Sequence, residues 1–221
     1  SLFTFTISDT RLKSIPGVVA KYVELFVNNS LLTSSGPLLI THTGISAPSV
    51  LKLSAYGAIE LAKRKYNFDL TINFIAQDFA TCVQELEDYK SDNPKKLVRK
   101  SALYGLPKRL WEQLVIGANF PNDIKWAETN QKQLQNLAIQ LTSAKFKVTG
   151  KSTFKEEFVT AGGVALKEIN FRTFESKIHK NLFFAGEVLN IDAVTGGFNF
   201  QNAWTGAFIA AQQMGAHTDT V

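Results

Sequence analysis

The chain has 221 residues, of which 45% are apolar and 19% charged, with a formal net charge of +5. That content supports a folded core and excludes a chain that is disordered throughout. A single cysteine, Cys82, excludes an internal disulfide framework, and no apolar run reaches the roughly 18 residues of a membrane-spanning helix.

The opening Ser1-Leu2-Phe3-Thr4-Phe5-Thr6-Ile7 alternates like a strand already under way. It has no Met and neither the basic nor the apolar region of a signal peptide, so the expectation is a cytoplasmic protein of which this chain is a fragment. Residues 18–27 form a second β-rich run after Pro16-Gly17. Leu31-Leu32 and Leu38-Leu39-Ile40 flank Ser34-Ser35-Gly36-Pro37, which reads as a turn. Ser46 then suits an N-cap and Pro48 a first helical turn, with Val50, Leu53 and Leu61 carrying the helix to about Lys65. Phe68, Leu70, Ile72 and Phe74 alternate as a half-buried strand.

Residues 78–142 read as wholly helical. Asp78 caps a run that places Cys82 and Leu86 on an apolar face, so Cys82 is expected in the core and not as a nucleophile. A basic helix starts near Asn93-Pro94 and ends at Gly105. Another follows Leu106-Pro107, and a last one carries Leu134, Leu137, Ala138 and Leu141. Beyond it, Phe146–Val148 and Phe154–Val159 look extended. Leu182-Phe183-Phe184-Ala185 has the continuous apolar character of a strand buried on both faces. Gly196-Gly197 opens a final helix on which Phe200, Trp204, Ala207, Ala211 and Met214 recur at helical spacing.

Charge is unevenly spread. Residues 1–90 balance 8 basic against 8 acidic side chains, residues 91–151 hold 11 against 4, a net of +7, and residues 152–221 hold 5 against 7, a net of −2. Lys95, Lys96, Arg99 and Lys100 fall on one side of the expected basic helix, with Lys108 and Arg109 following. Three readings stand: a solvated helix face, attraction of an anionic cofactor or substrate, or a nucleic-acid surface. No RNA- or DNA-binding motif accompanies the charge, so nucleic acid is not the expected partner. A non-enzymatic binding module using residues 95–109 on a polyanion is the alternative function.

No catalytic residue can be named. His42, His179 and His217 are far apart, no Cys/His spacing suits a metal, and there is no Gly-x-Ser-x-Gly, P-loop or Gly-x-Gly-x-x-Gly. One stretch, residues 182–199, is unusual: an apolar strand, Gly186-Glu187 at its carboxyl end, a polar loop, then Gly196-Gly197 at a helix start. Ligands in α/β folds sit outside the carboxyl ends of strands, and a helix N-terminus offers unpaired N–H groups and partial positive charge. Either a ligand approaches here, or the glycines serve an ordinary strand–loop–helix turn.

That stretch is similar to the carboxyl-terminal FAD-contacting segment of the BaiN-type NAD(P)/FAD-dependent oxidoreductases, a bacterial flavoprotein family. The family pattern stands here as Phe184-Ala185-Gly186-Glu187, Asp192 and Thr195-Gly196-Gly197-Phe198-Asn199. Thr160-Ala161-Gly162-Gly163-Val164 resembles the family's loop near the flavin. Thr41-His42-Thr43-Gly44-Ile45-Ser46-Ala47-Pro48 resembles a stretch of its inserted substrate-side domain, and Asn93–Lys96 and Leu106–Leu110 resemble the helical part of that insert. The resemblance covers nearly the whole chain, but the Rossmann segment with its Gly-x-Gly-x-x-Gly, some 200 residues upstream in the family, is not in this sequence.

The resemblance implies an α+β chain in three parts. Residues 1–77 are the β-rich part of an inserted domain, 78–144 its helical part, and 145–221 the carboxyl-terminal portion of a split FAD-binding domain. It implies FAD in the longer protein, though not held by this chain alone, NAD(P)H as co-substrate, and an unsaturated small-molecule substrate. The isolated chain would then be inactive, its partner being the Rossmann segment of the same polypeptide. Thr160, Ala161, Gly162, Gly163, Gly186, Glu187, Asp192, Thr195, Gly196, Gly197, Phe198 and Asn199 are the implied FAD contacts. His42 is either a proton donor or a structural histidine.

Overall fold

The computed structural model describes residues 2–152, 159–194 and 196–218, and only the backbone of the last two. These fall into two compact units. One runs from Phe3 to the end of the first described segment; the other comprises the residues from Val159 onward, with Leu2.

The first unit is a barrel with helices. In chain order its elements are β1 (Phe5–Ile7), α1 (Thr10–Lys13), β2 (Val19–Val27), β3 (Thr33–Ile40), β4 (Gly44–Ser46), α2 (Pro48–Tyr56), α3 (Ala58–Lys63), β5 (Phe68–Asn73), α4 (Phe79–Asp92), α5 (Lys108–Gly117), α6 (Gln131–Thr142) and β6 (Ala144–Lys151). The strands close in the order β1-β4-β3-β2-β5-β6, each neighbouring pair antiparallel. Closure removes the unpaired edges that an open sheet would expose. Alternation sends Val23, Leu25, Leu38, Ile40, Leu70 and Ile72 inward, all fully buried. Gly44 sits where a Cβ would lie 2.0 Å from the Phe5 carbonyl oxygen, so the β1–β4 pairing requires a glycine there.

Two local expectations shift. The β2–β3 turn is made by residues 28–31, with Asn29 at φ 57°, while Ser34-Ser35-Gly36-Pro37 runs inside β3. The register advances from Ala20 to Val23 on β2 against Leu38 to Gly36 on β3, which is a bulge. Pro37, with no N–H to give, lies opposite that interruption. The residue before α2 is Ala47 at φ 89°, with Pro48 at the first helical position, while Ser46 belongs to β4.

The helical block between β5 and β6 also differs. Asp78 caps α4 by accepting the Thr81 N–H at 2.9 Å, and Asn130 caps α6 in a capping box with Gln133. The basic helix does not form. Residues 94–98 instead pair with 124–127: Val98 N–H donates to Ile124 O, Trp126 N–H to Lys96 O and Ala127 N–H to Pro94 O. Only Val98–Lys100 makes a helical turn, of the 3₁₀ kind. Lys95, Lys96, Arg99 and Lys100 therefore share no helix face. Burial of Trp111 and Trp126, with the Trp111 Nε1–H donating to Val98 O, overrides the local propensity. Cys82 is fully buried in this block, as its apolar position implied.

Strand β6 follows the helices and pairs with both β5 and β1. The boundary expected at residue 144 thus falls at the first residue of the strand that closes the barrel. Sequence patterning alone does not say which sheet a returning strand joins. Arg11 fastens this closure: its guanidinium donates to Gln140 Oε1 and to the Lys145 carbonyl, both at 2.6 Å, while Asp9 accepts from it at 2.8 Å.

The second unit has a two-stranded ribbon, β7 (Ile169–Asn170) with β8 (Glu175–Ser176), and a long helix α7 (Phe198–Thr218). Leu182-Phe183-Phe184-Ala185 is not the doubly buried strand expected. Phe183 forms one isolated bridge to Glu175, Leu182 is exposed, and the two phenylalanines are half-buried. A strand buried on both faces needs neighbours and covering layers on each side, and the described residues supply one bridge. The expected face of α7 is also reversed. Phe200, Trp204 and Met214 are exposed, whereas Gly206 and Ala210 turn inward, Gly206 so close that a Cβ would stand 2.6 Å from the Phe174 ring. The strand expected at 154–159 lies outside the described residues apart from Val159. No helix among the described residues is long and apolar enough to cross a membrane.

Candidate functional site

Two glycine-bearing loops of the second unit are joined backbone to backbone. The Val164 N–H donates to Val188 O at 2.8 Å, and the Asn190 N–H returns to Val164 O at 3.0 Å. Gly163 makes this approach feasible, since a Cβ there would lie 2.4 Å from Val188 O. Its observed work is therefore to seat the 160–164 loop against the 186–190 turn.

Beside this junction a cavity of about 440 Å³ is lined by Glu187, Gly196, Gly197 and Asn199 together with apolar side chains such as Val194 and Ala203. The Gln201 N–H makes the first helical bond of α7, to Gly197 O at 2.9 Å. The N–H groups of Phe198, Asn199 and Phe200 thus have no partner within the helix, and the positive end of its dipole lies at the cavity. Gly197 adopts φ 87°, and a Cβ there would meet nothing within 4 Å. The backbone is bare where a flat ligand would approach it.

Asn199 holds the preceding loop. Its Oδ1 accepts the Ala193 N–H at 2.8 Å and its Nδ2 donates to Ala193 O at 3.0 Å. Its amide thereby fixes the shape of the cavity rim, with both functions already engaged. Glu187 is exposed at the start of a short 3₁₀ turn, Gly186–Val188.

Of the residues expected to contact a cofactor, Glu187, Gly196, Gly197 and Asn199 converge on one cavity. Gly163 and Gly186 sit in the loops that frame it, a Cβ on Gly186 reaching 3.5 Å from Ala203. Phe198 is exposed, its ring 3.3 Å from where a Gly196 Cβ would be. Thr160, Ala161, Gly162 and Asp192 do not line the cavity among the described residues, and Thr195 lies outside them. The apolar wall, with Leu2, Val159 and Val194, was not singled out from the sequence. No local motif announces it, because these residues come from separated segments. His42 stands exposed on the β3–β4 turn in the other unit.

The donor set suits a flavin nucleotide: bare backbone and partial positive charge for an electron-rich ring edge, and a carboxylate to accept hydrogen bonds from a polyol. Among the described residues that line the cavity there is no acid–base pair.

The family described as HI0933-like protein barrel and H2TH domain matches residues 1–159. Ribosomal RNA dihydrouridine synthase of Escherichia coli is 30% identical over 204 residues, covering 92% of this chain and 48% of the relative. The Haemophilus influenzae protein of the same name is 33% identical over 174 residues, covering 79% and 41%. The 3-dehydro-bile acid delta(4,6)-reductase of Clostridium scindens is 25% identical over 194 residues, covering 87% and 47%. The chain spans about half the length of the curated relatives it matches.

Proposed function

We propose, for a chain that belongs to the HI0933-like family through its barrel and H2TH domain, that it forms part of a flavin-dependent reductase acting on uridine in ribosomal RNA. The observation that carries the flavin is the cavity where Glu187 faces the bare Gly196-Gly197 start of α7. When bound, FAD would supply a hydride, drawn from NAD(P)H, for an electron-poor carbon–carbon double bond. The α7 N–H groups and dipole favour negative charge on the ring system. Glu187 would accept hydrogen bonds from the ribityl hydroxyls, and Asn199 keeps the rim in place. Gly163 and Gly186 shape the loops that frame the cavity; Thr160–Gly162, Asp192 and Phe198, which do not line it among the described residues, would contact the cofactor beyond it, as would Thr195.

Only part of a dinucleotide site is formed by these residues. The remainder, including the Rossmann segment, would come from elsewhere in a longer polypeptide, which fits the half-length coverage of the relatives. The exposed aromatic face of α7 would pack there. The reaction would take place in the cytoplasm, with the ribosome.

RNA is favoured as substrate by charge. Residues 3–152 carry 19 basic and 12 acidic side chains, a net of +7, against −2 for the rest. Such an excess attracts phosphate. The second reading keeps a small conjugated substrate, supported by the name of the Clostridium relative. Both readings share one chemistry, addition of two hydrogens across a conjugated double bond.

The test is made on the longer protein, incubated with NAD(P)H and ribosomal RNA whose uridines are unreduced. A mass gain of two hydrogens on a uridine supports the RNA reading. Reduction of a steroid enone with RNA untouched selects the second. Gly197→Val should strip the flavin, and unchanged flavin content would overturn the placement. The 221-residue chain alone should purify colourless; a stoichiometric flavin band would refute the divided site.

A further inference from the structure

The resemblance implies Asn199 as a flavin contact, yet its side-chain amide is engaged with the loop before α7. Oδ1 accepts the Ala193 N–H at 2.8 Å, and Nδ2 donates to the Ala193 carbonyl at 3.0 Å. One acceptor and one donor thus meet both backbone groups of a single residue, as a hydrogen-bonded partner in an antiparallel ladder would. Residues 191–194 belong to no strand, so the amide stands in for one. A carboxylate has no donor and a hydroxyl is a single atom. Of the short polar side chains, only the Asn amide sets donor and acceptor side by side.

The consequence reaches the cavity. Asn199 is the second residue of α7, whose first helical bond runs from the Gln201 N–H to Gly197 O. A helix start is often closed by a capping side chain, and Gly196 and Gly197 have none to offer. The 193–194 loop is the neighbouring segment that could fold over the first-turn N–H groups, and the clamp from Asn199 holds it. Val194, next to Ala193, lines the cavity with Gly196, Gly197 and Ala203.

We infer that Asn199 is a positioning residue for the flavin and not a ligand to it. Its clamp sets the loop and the open start of α7 before the cofactor arrives, so less has to be ordered on binding. The inference rests on the flavin reading above and changes the part that Asn199 plays in it. Removing the amide acts on Ala193 first, and on the flavin through it.

Two measurements test it. In the flavin-free 221-residue chain, residue-resolved hydrogen exchange at the Ala193 N–H should be about tenfold faster in Asn199→Ala than in wild type. The Val164 N–H, held by Val188 O, should keep its rate. In the longer protein reconstituted with FAD, Asn199→Ala should raise the Kd for FAD about tenfold. It should also change the visible circular dichroism of the bound flavin at saturation, while the melting curve of the flavin-free protein stays the same. Asn199→Asp, which keeps the acceptor and loses the donor, should show smaller effects of the same sign. Weaker flavin binding with unchanged Ala193 exchange would make Asn199 a direct ligand and overturn the inference, with the flavin reading left standing. Faster exchange with wild-type affinity and spectrum would overturn it as well. So would an Ala193 N–H that is unprotected in the wild-type chain. No flavin on the wild-type longer protein would overturn the flavin reading and this inference together.

Discussion

Trp111 and Trp126 lie in the barrel unit with no surface in water, whereas Trp204, on α7, keeps 70% of its surface exposed. The contrast extends beyond tryptophan. The barrel's buried cluster runs through its strands and helices without a break, from Phe3 to Val148. In the second unit the buried cluster is Ile169, Phe174, Leu189 and Ala210. The barrel closes its own edges and caps α1, α4 and α6 with its own side chains. The second unit holds two-residue strands and isolated bridges, and leaves Phe198, Phe200, Trp204 and Phe208 facing water. Ordering a chain costs about 1–2 kcal/mol per residue in backbone entropy, and the small cluster offsets little of it. The glycine cavity thus sits on the part with the smaller buried cluster, beside an exposed aromatic face of α7.

Truncation of one large side chain in each region should separate them most sharply. Leu25→Ala removes a fully buried barrel residue and should cost about 2–5 kcal/mol. Phe208→Ala removes a ring that is 63% exposed and should change stability by about 0.5 kcal/mol or less. Denaturant melts of the two variants measure both. A large loss from Phe208→Ala in the isolated chain would mean that α7 is covered there, and the comparison would fail.

Cys82 reports on the barrel side alone. Burial pushes its thiol up to about 11, helped by the Glu85 and Asp78 charges and opposed by a hydrogen bond with Tyr104, whose hydroxyl lies 3.7 Å away. At pH 8 the thiol is protonated and inaccessible, so a thiol reagent should react only after the unit opens. Labelling should then follow barrel unfolding, while proteolytic cleavage in residues 159–218 should precede it. Labelling at the rate of a free thiol in native buffer would contradict the closed core.

The fold was legible where periodicity met local chemistry. Alternation in 68–73, the Asp78 cap and the spacing of Leu134, Leu137, Ala138 and Leu141 all describe what forms. What escaped reading was decided by distant partners. The lysine-rich stretch lost its helix because segment 94–98 pairs with 124–127, some thirty residues on. The Ser34–Pro37 break signal was real, but it marks a bulge against β2. In the candidate site, the glycines and Glu187 were visible because close backbone approach restricts residue type. The structural work of Gly163 and Asn199 was not, since their partners, Val188 and Ala193, carry no signature.

A smaller effect should separate the regions by pH. Burial tends to raise the Asp9 carboxyl, but hydrogen bonds from the Arg11 side chain and N–H, with the Arg11 charge, outweigh it and hold the group below its ordinary 3.8. A depressed carboxyl contributes stability that is fully present above the unfolded value and lost as pH falls through the folded one. The pair is partly exposed, so about 1 kcal/mol or less is at stake. Acid titration of barrel stability should therefore begin to fall below about pH 4, and Asp9→Asn should flatten that part of the curve. An unchanged curve would show that Arg11 holds β6 and α6 without Asp9.

A last effect, of comparable size, concerns backbone strain. In the second unit the loops around the cavity place positive φ on Gly162, Gly163, Gly186, Gly196 and Gly197. In the barrel, Ala47 carries φ 89° with ψ 174°, a region occupied almost entirely by glycine. Pro48 fixes the start of α2, and the Ala47 carbonyl accepts the Val50 and Leu51 N–H groups at 3.0 Å, so the turn is set from both sides. Such strain costs about 1–3 kcal/mol, of which a glycine would recover all but the roughly 0.5–1 kcal/mol of its greater unfolded freedom. Ala47→Gly should then stabilise the barrel by about 1 kcal/mol, raising the melting temperature by about 2–4 °C. Lower stability in that variant would mean that the β4–α2 junction is unstrained, and that the contrast with the glycine-built loops around the cavity does not hold.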